Sequence, residues 1–307
     1  MHVLVTGGAG FIGSHLSEYL VSEGHKVTVV DSLISGDKSN LNHVINDIDF
    51  YEDKIELFNF SKLSNIDSVV HLASQVSVPI SVSDFGDSSS GNLLGTIKVI
   101  DFCRCNQVPL VYASSSAVYG NLEIGDDTNL KVDLLSPYAA DKYVMELYAK
   151  LANQLYQLSS IGLRFYNVYG PRQDPDNAYS GVISIFSDRL LSGKNITVNG
   201  GYQTRDFVYV KDIVKAINKA ILSTNNGVVC EQINVLSGQS ISIDNVADML
   251  IDAVNVKVDK LYKDLPIGDP KRSVGSTEKM QRLLGIDLDR MVTVDSGLKL
   301  TIESLRR

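Results

Sequence analysis

The sequence predicts an α/β protein with a doubly wound parallel sheet and a smaller C-terminal lobe. Three observations predict this class. The β-branched run 2–6 leads into closely spaced glycines and then into a helical pattern over 14–23. Further short apolar runs alternate with helical patterns as far as residue 163, which is typical of βα units. Beyond residue 166, glycine and proline pairs divide the chain into shorter elements, so we expect a second lobe there.

The elements of the first part follow one another in strand–helix order. A strand over 26–30 ends in Asp31. The patterns then predict strands over 68–72, 110–113 and 160–163 and helices over 91–105 and 138–155. Ligands of such sheets bind beyond the carboxyl ends of the strands. The polar stretches that follow the strands are therefore candidate site segments, namely 73–75, 114–116 and 164–167.

The composition argues against several classes of partner. The net charge of −8 and the pI near 5.1 provide no basic surface for nucleic acid or anionic lipid. No apolar run reaches the roughly 18 residues needed to span a bilayer, so the cytoplasm is the expected location. The three cysteines, Cys103, Cys105 and Cys230, are expected to be small buried side chains rather than a disulfide framework. The five histidines all lie in the first 71 residues without metal-ligand spacing, so no metal is expected.

The glycines after the first strand have the spacing G-x-x-G-x-x-G, at Gly7, Gly10 and Gly13. Because they lack side chains, they let the backbone amides of a helix N-terminus approach a pyrophosphate. Asp31 stands eighteen residues after Gly13, where a carboxylate accepts hydrogen bonds from the hydroxyls of an adenosine ribose. The same carboxylate would repel a 2′-phosphate. The pattern therefore predicts NAD rather than NADP as the cofactor, and a tight turn without a ligand is the weaker alternative.

These features divide the chain into two units. We expect residues 1–165 to form an NAD-binding Rossmann domain, to which 206–222 returns as the end of a strand and a helix. Residues 166–205 and 223–307 are expected to form the smaller, substrate-binding lobe.

Tyr138 and Lys142 are four residues apart at the start of a predicted helix and so share one helical face. By itself this spacing is common on ordinary solvated helices. Here, however, Ser115 and Tyr138 leave the sheet at the same edge as the glycine turn, so a hydroxyl, a phenol and the nicotinamide can meet. The Lys142 ammonium and the positive nicotinamide would both favour the phenolate, which would make Tyr138 a base.

Several motifs together have the pattern of a known family. They are Gly7-x-x-Gly10-x-x-Gly13, Asp31, His71-Leu-Ala-Ser-Gln75, Ser114-Ser-Ser-Ala-Val-Tyr-Gly120, Tyr138-x-x-x-Lys142, Phe165-Tyr-Asn-Val-Tyr-Gly-Pro-Arg172 and Arg205-Asp-Phe-Val-Tyr-Val-Lys-Asp212. In this combination, which extends over nearly the whole chain, the protein closely resembles the extended short-chain dehydrogenase/reductases. Within that family it looks most like the UDP-hexose 4-epimerases.

The resemblance implies a reaction. In the family the position four before the tyrosine of the V-Y-G segment is the catalytic serine or threonine, which is Ser115 here, with Ser116 as the alternative. The next two positions hold the acid and base of related dehydratases and decarboxylases, but here they are Ser116 and Ala117. The implied reaction is therefore proton removal from the 4-hydroxyl by Tyr138 and hydride transfer from C4 to NAD. The 4-keto sugar then turns over and takes the hydride back on its other face.

The resemblance also implies which residues bind the two ligands. The cofactor-binding residues are Gly7, Gly10, Phe11, Ile12, Gly13, Asp31, Leu72, Ala73, Gln75, Asn92, Tyr138 and Lys142. The residues that bind the UDP-sugar are Val78, Ser115, Ser116, Tyr138, Asn167, Arg205, Arg272 and Ser273. Arginine suits the diphosphate because its planar fork matches phosphate oxygens. A surface salt bridge is expected instead for Arg189, and for Arg172 both interpretations stay open.

Two positions depart from the family's pattern. Lys54 stands where the family often has an acidic residue near the adenine, with Asp53 one position away. Pro266 stands where an arginine usually precedes the glycine that is Gly268 here, and Arg272 follows instead. The adenine contact and the diphosphate contact of this segment are therefore left open.

Ser273 indicates the substrate. Five residues after the same glycine, relatives restricted to plain hexoses tend to carry a tyrosine, whereas relatives that accept an N-acetyl group carry a small residue. Ser273 therefore favours the pair UDP-N-acetylglucosamine/UDP-N-acetylgalactosamine, with UDP-glucose/UDP-galactose as well. The alternatives are a UDP-glucuronate 4-epimerase, a 4-keto reductase or a non-catalytic NAD-binding scaffold. A homodimer is expected because two long helices of this fold often pair in relatives, and the pathway is left open.

Overall fold

The computed structural model describes residues 1–129, 131–175, 181–265 and 270–306, and it confirms the predicted fold class. Over these residues a seven-stranded sheet with helices on both faces is joined to a smaller C-terminal part. The smaller part contains a three-stranded and a two-stranded sheet.

Strands and helices alternate through the first part of the chain, as predicted. The strands are β1 (His2–Thr6), β2 (Lys26–Asp31), β3 (Ile48–Glu52), β4 (Ser68–His71), β5 (Leu110–Ser115), β6 (Ser160–Phe165), β7 (Asn167–Tyr169), β8 (Ile196–Asn199), β9 (Thr204–Tyr209), β10 (Cys230–Val235), β11 (Ser240–Ser242) and β12 (Lys260–Lys263). The helices are α1 (Phe11–Ser22), α2 (Val78–Ser83), α3 (Phe85–Asn106), α4 (Pro137–Tyr156), α5 (Val182–Leu191), α6 (Val210–Asn225), α7 (Ile243–Val254), α8 (Glu278–Leu284) and α9 (Val294–Leu305). Of the helices in the described part of the chain, none is long and apolar enough to cross a membrane.

The large sheet has the strand order β10-β6-β5-β4-β1-β2-β3, and its pairings are parallel. Chain order reverses between β1 and β4, because β1 leads outward to β3 on one side and β4 leads outward to β10 on the other. The carboxyl ends of these two strands lie side by side, with Thr6 opposite His71. Such a reversal opens a crevice in which open α/β sheets bind their ligands.

The core of the large sheet has two layers, one on each face. Val3 and Val5 of β1 belong to the layer that also contains Leu16 of α1 and Ile213 of α6. Leu4, between the two valines, packs in the opposite layer together with residues of α3 and α4. Successive strand residues point to opposite faces, so an uninterrupted apolar run is what a strand covered on both sides requires.

The smaller part has its own apolar core. Helices α5, α7 and α9 contribute Ile183, Leu250 and Leu298, which pack with Tyr169 and Phe207 from strands of the three-stranded sheet. In that sheet β9 lies between β11 and β7.

The path of the chain between the two parts differs from the expected division at two places. Strand β10, within the segment assigned to the smaller lobe, pairs with β6 and completes the large sheet. Conversely, β9 belongs to the three-stranded sheet, and only α6 of the returning segment packs on the large one. The sequence Cys230–Val235 begins with polar residues and buries mainly its last three, so it lacks the continuous apolar run by which the other inner strands are recognised.

The cysteines also depart in part from expectation. Cys103 is fully buried, but Cys105 is exposed and Cys230 is half-buried. Cys103 and Cys105 lie on α3, where residues two apart face different directions.

Candidate active site

A cleft of about 1410 Å³ runs along the carboxyl ends of the central strands and continues between the two parts of the molecule. Every residue that the sequence assigns to the cofactor or the substrate lines this cleft. The structure thus brings the predicted residues together, while the role of each one stays a prediction.

The glycine turn forms one end of the cleft. Gly7 has a positive φ of 73°, and a Cβ at Gly13 would lie 2.0 Å from the Gly7 carbonyl oxygen. Helix α1 begins directly after Gly10, which has no side chain to cap the helix. The first backbone amides of α1 therefore lack a capping partner from Gly10 and border the cleft, which is the arrangement that binds a pyrophosphate.

Asp31 ends β2 beside this turn and is only 7% exposed. One carboxylate oxygen accepts from the Ala9 amide at 2.9 Å and the other from the Leu33 amide at 2.8 Å. Each oxygen retains a lone pair that can accept from a ribose hydroxyl. The glycine cradle, which a Cβ would fill, and this fixed carboxylate together fit NAD.

Helix α4 carries Tyr138 and Lys142 to the same edge. Ser136 caps the helix by accepting from the Ala139 amide at 3.2 Å, and Pro137 occupies its first position. The Ser115 side chain, at the end of β5, acts to lower the pKa of the Tyr138 phenol. Ser115 also accepts from the Ala117 amide at 3.1 Å, which fixes the position of its hydroxyl.

Lys142 is 2% exposed and is held differently from the expectation. Its Nζ donates to the Ala113 carbonyl at 2.9 Å and lies 5.7 Å from the centroid of the Tyr138 ring. The ammonium therefore approaches the ring, and a backbone carbonyl holds it there. Burial lowers the pKa of Lys142 to about 8, although the Asp141 carboxylate acts to raise it.

Burial raises the pKa of Tyr138, while the Ser115 side chain acts to lower it and the Asp141 charge acts to raise it. Burial is the largest of these effects, and the role of Tyr138 as a base stays a prediction. The positive charge of a bound nicotinamide is the remaining contribution that would favour the phenolate.

Asn92 lines the cleft, but its side-chain amide is engaged within the protein. Its oxygen accepts from the Gln75 amide at 2.8 Å and from the Ser74 hydroxyl at 2.9 Å. Its nitrogen donates to the buried Asp141 carboxylate at 3.0 Å. Asn92 thus ties the segment after β4 to helix α4. Its predicted contact with the cofactor stays a prediction.

His71, at the end of β4, is a buried residue that sequence reasoning left without a role. Thr96 donates to the Asn92 carbonyl at 2.8 Å, so its oxygen accepts from His71 Nε2 at 3.3 Å. His71 Nδ1 then accepts from the Thr6 hydroxyl at 2.7 Å. Burial and the nearby Lys142 charge lower the pKa of His71 to about 3, so the ring is neutral. Its place in the H-L-A-S-Q motif was the only available signal.

The far side of the cleft carries the predicted substrate residues. Asn167 donates to the Asp206 carbonyl at 3.0 Å, and Arg205 of β9 is 8% exposed and donates to the Thr204 carbonyl at 2.9 Å. The Ser273 amide also donates to the Thr204 carbonyl, at 3.1 Å. Arg272 is exposed. The segment with Arg272 and Ser273 therefore runs along β9 and brings a second arginine to the cleft.

Positions that the sequence left open have the following surroundings. Arg172 forms an ion pair with Glu18 of α1 at 2.6 Å, although it also borders the cleft. Arg189 donates to the Asn195 carbonyl at 2.6 Å. Asp53 and Lys54 both line the cleft, so either can lie near an adenine. Pro266, Gly268 and Asp269 lie outside the described residues.

Among the described residues, no group of three or more histidine, cysteine, aspartate or glutamate side chains is arranged to hold a metal ion.

The fold and the cleft, which Ser115, Tyr138 and Lys142 line, define an NAD-dependent enzyme. The model of the NAD dependent epimerase/dehydratase family matches residues 3–235, and the chain belongs to this family. The predicted resemblance to extended short-chain dehydrogenase/reductases of the UDP-hexose 4-epimerase type is confirmed, and so is NAD as the cofactor.

Relatives similar over nearly the full chain include UDP-sugar 4-epimerases. The UDP-glucose 4-epimerase of Mycolicibacterium smegmatis is 33% identical over 323 residues, covering 100% of this chain and 99% of that protein. The crystal structure of UDP-glucose 4-epimerase from Thermotoga maritima with UDP-glucose has a TM-score of 0.92 at 33% identity and covers 100% of this chain and 99% of the other. A UDP-N-acetylglucosamine 4-epimerase from Methanobrevibacter ruminantium, in complex with UDP-N-acetylmuramic acid, has a TM-score of 0.90 at 33% identity and covers 99% and 98%.

Proposed function

We propose that this enzyme interconverts UDP-N-acetylglucosamine and UDP-N-acetylgalactosamine by inverting C4, and that it also interconverts UDP-glucose and UDP-galactose. The observation that carries the proposal is the cleft itself. It joins a glycine cradle and Asp31 at one end to Ser115 and Tyr138 in the middle and Ser273 at the other.

In this proposal the residues of the chain move one proton and hold the sugar. Ser115 hydrogen-bonds the substrate 4-hydroxyl and aligns it, and Tyr138 takes its proton. The glycine cradle and Asp31 would hold NAD, which would supply the acceptor and donor of the C4 hydride. The Lys142 ammonium lies 5.7 Å from the centroid of the Tyr138 ring, and its positive charge favours the phenolate form of Tyr138 when NAD is bound. Tyr138 then returns the proton to the oxygen after the 4-keto sugar has turned.

The absence of further proton-transfer groups beside Ser115 supports epimerisation over elimination or decarboxylation. Ser116 and Ala117 begin the short 3-10 helix Ser116–Tyr119, and the Ala117 amide is engaged with the Ser115 hydroxyl. Neither Ser116 nor Ala117 carries a carboxyl group that could transfer a proton at C5 or C6 of the sugar.

The choice of sugar rests on Ser273. Its amide is paired with Thr204 and its carbonyl accepts from the Ser240 hydroxyl at 3.1 Å, so the backbone is held and only a small side chain faces the cleft. A small residue leaves room for a 2-acetamido group. The similarity to both a UDP-glucose and a UDP-N-acetylglucosamine 4-epimerase is compatible with both substrate pairs.

A proton NMR assay with UDP-N-acetylglucosamine, UDP-glucose and UDP-glucuronate supplied separately tests the proposal. We expect the first two to approach an equilibrium mixture of C4 epimers without added reductant. Turnover of UDP-glucuronate alone would replace the proposal by the glucuronate epimerase. Protein that releases no NAD on denaturation and leaves every UDP-sugar unchanged would indicate the non-catalytic scaffold, and stoichiometric consumption of NADPH would indicate the reductase.

We also propose that the enzyme is a homodimer that functions in the cytoplasm. An apolar stripe on α3 and α4 is formed by Leu94, Ile97, Leu147, Leu151 and Leu155, whose exposures lie between 39% and 61%. Residues three or four positions apart lie on one helical face, so the first two share a face of α3 and the last three share a face of α4, which packs beside α3. A second copy of the chain would cover it with an identical stripe about a two-fold axis.

The dimer is tested by measuring the molar mass of the protein by light scattering as it elutes from a size-exclusion column. Leu151→Glu should shift the mass from dimer to monomer because it introduces a charge into the stripe. Leu300→Glu changes a leucine of similar exposure on α9 and should leave the dimer intact. A monomeric wild-type protein would overturn the assignment.

A further inference from the structure

A line of buried polar side chains connects the catalytic helix to the segment that carries Arg272 and Ser273. We propose that this line, the Arg164–Tyr119–Asn234 relay, is a positioning device that sets the distance between Tyr138 and the wall of the substrate site. The kinetic effects that we expect from it rest on the proposed function, because they assume a UDP-sugar substrate. Its structural consequence, the rigidity of the segment 273–276, is independent of that substrate.

The relay begins at the catalytic elements. Ser114, next to Ser115, donates to Glu146 at 2.5 Å, and Glu146 lies one helical turn after Lys142 on α4. Arg164 on β6 binds both oxygens of Glu146, at 2.8 and 2.6 Å. The two charged side chains are 3% and 4% exposed. This bidentate pair fixes α4 against the sheet at the level of the catalytic residues.

The middle of the relay is Tyr119, which ends the short 3-10 helix after Ser115. Its oxygen accepts from Arg164 at 2.7 Å, and its hydroxyl donates to the Asn234 side chain at 2.8 Å. Burial raises the pKa of Tyr119 to about 12, although Arg164 acts to lower it. The hydroxyl therefore keeps its proton, so the bond to Asn234 persists across the working range of pH.

The far end of the relay holds two backbone segments together. The Asn234 side-chain nitrogen donates to the Gly125 carbonyl at 3.0 Å and to the Ser276 carbonyl at 3.2 Å. The Gly125 amide in turn donates to the Val274 carbonyl at 2.8 Å, and the Ser276 amide donates to the Gly125 carbonyl at 2.9 Å. Asn234 thus clamps the residues that directly follow Ser273.

Tyr166 fills the space under this clamp. Its hydroxyl donates to the Val274 carbonyl at 3.4 Å. A Cβ at Gly275 would lie 2.0 Å from the Tyr166 oxygen, and a Cβ at Gly125 would lie 2.4 Å from it. Both segments can approach the ring only because both residues are glycines. Tyr166 precedes Asn167, so the clamp and the predicted substrate residues share one wall.

Fold stability alone is a weak reason for such a line of polar groups. A buried ion pair is often no more stabilising than apolar side chains of similar volume. At one end, Ser114 and Arg164 both donate to Glu146. From Arg164 onward each donor nevertheless points the same way, to Tyr119, then to Asn234, and then to the Ser276 carbonyl. A satisfied network of this kind holds its members in one arrangement. The sugar must turn within the cleft, so the distance between the two walls limits which sugars can do so.

The test uses the purified holoenzyme and the substitution Tyr119→Phe, which keeps the ring and removes the hydroxyl that joins Arg164 to Asn234. Tyr112→Phe is the matched control, because Tyr112 is an equally buried phenol of β5 that packs in the opposite core layer. Three quantities are measured: the NAD content, kcat and KM for each UDP-sugar, and the rate of backbone hydrogen exchange over residues 271–278.

We expect Tyr119→Phe to raise KM by about three- to tenfold, the consequence of losing one hydrogen bond in a network. It should change the ratio of kcat/KM between the two sugar pairs, leave the NAD content unchanged and accelerate exchange of the Ser276 amide. Tyr112→Phe should do none of these. Unchanged exchange and KM in Tyr119→Phe, or equal effects of both substitutions, would overturn the relay.

Two provisions keep the outcome decisive. If the wild-type enzyme turns over no UDP-sugar, the proposed function fails, while hydrogen exchange still decides whether the relay holds the segment. If Tyr119→Phe does not fold, Gly275→Ala at the other end replaces it, since its Cβ would displace the segment from Tyr166. Gly86→Ala is its control because no atom lies within 4 Å of the Cβ it would add. Exchange in Gly275→Ala equal to that of Gly86→Ala would contradict the proposal.

Discussion

The Nζ atom of Lys142 lies 5.7 Å from the centroid of the Tyr138 ring while it donates a hydrogen bond to the Ala113 carbonyl. The lysine is thus anchored to the strand that carries Ser115, and it lies on the same face of α4 as the tyrosine. Its desolvated charge has a pKa of about 8, so the ammonium is the group in this site most readily altered by pH near neutrality.

Tyr138→Phe should lower kcat by about 10²- to 10⁴-fold, the usual contribution of a general base. Only the proton acceptor is lost, so NAD should remain bound at the wild-type level. The measurement is the proton NMR assay together with NAD released on denaturation. Tyr156→Phe, at the exposed end of the same helix, should retain wild-type kcat. A Tyr138→Phe enzyme with the wild-type rate would refute the proposed mechanism.

Lys142→Met should increase stability at pH 7 more than at pH 10. The folded-state pKa of Lys142 is lowered to about 8 from 10.5, so between these values the unfolded chain binds more protons than the folded one. The contribution of Lys142 to stability therefore rises with pH across that window. The advantage of the variant at pH 7 should be on the order of 2–3 kcal/mol, less the lost hydrogen bond to Ala113.

Urea unfolding of cofactor-free protein at pH 7, 8.5 and 10 measures this difference. Lys150→Met, which removes an exposed lysine of the same helix, is the control. If the free energies of unfolding of Lys142→Met and wild type differ by the same amount at every pH, the lowered pKa of the buried Lys142 is contradicted.

Ser273→Tyr should lower kcat/KM for UDP-N-acetylglucosamine by more than about tenfold and change that for UDP-glucose little, since a ring would occupy the space of the 2-acetamido group. Ser273→Ala keeps the residue small and should leave the ratio of the two values unchanged. Both ratios come from the same NMR assay with competing substrates. An unaltered ratio in Ser273→Tyr would place the determinant of sugar size elsewhere in the cleft.

Asp31→Asn should weaken NAD binding by about tenfold or more, because hydrogen bonds to a carboxylate are stronger than those to an amide. It should also reduce the preference for NAD over NADP, since the repulsion of a 2′-phosphate is removed. Fluorescence titration of cofactor-free protein with both dinucleotides measures the two constants. Asp49→Asn alters an exposed aspartate of β3 that pairs with Lys26 and should change neither. An NAD preference equal to wild type in Asp31→Asn would exclude the predicted role.

Local motifs were the most predictable part of the site. Gly10 and Gly13 predict a cradle because a side chain at either position would meet the Gly7 carbonyl a few residues away, and Asp31 follows at a strand end. Only the fold shows that a side chain at Gly7 would also meet the backbone of Ala73. Residues whose role depends on partners far away in the sequence were harder to predict. Asn92 satisfies Gln75 and Asp141, which are 17 and 49 positions away, and no local pattern shows that its amide is already engaged.

The same distinction between local patterns and distant partners applies to the fold. Strands with continuous apolar runs, such as β1, were predicted from their own residues. Strand β10 was not, because what places it in the large sheet is its pairing with β6, 70 positions earlier, rather than its hydrophobic pattern.

The sequence by itself determined the class of fold, the cofactor and the candidate catalytic set of Ser115, Tyr138 and Lys142. The class of fold follows from the alternation of strand and helix patterns, and the cofactor follows from the glycine spacing and Asp31. Tyr138 and Lys142 are paired by their spacing on one helix, and Ser115 joins them through the resemblance to the family. Only the tertiary structure decided that the Lys142 ammonium is held at the Ala113 carbonyl and that the Asn92 side chain binds the Gln75 amide. It also decided that Tyr119 and Asn234 connect the catalytic helix to the segment after Ser273. Burial and hydrogen-bond direction depend on partners brought together by folding, so they cannot be derived from the order of residues along the chain.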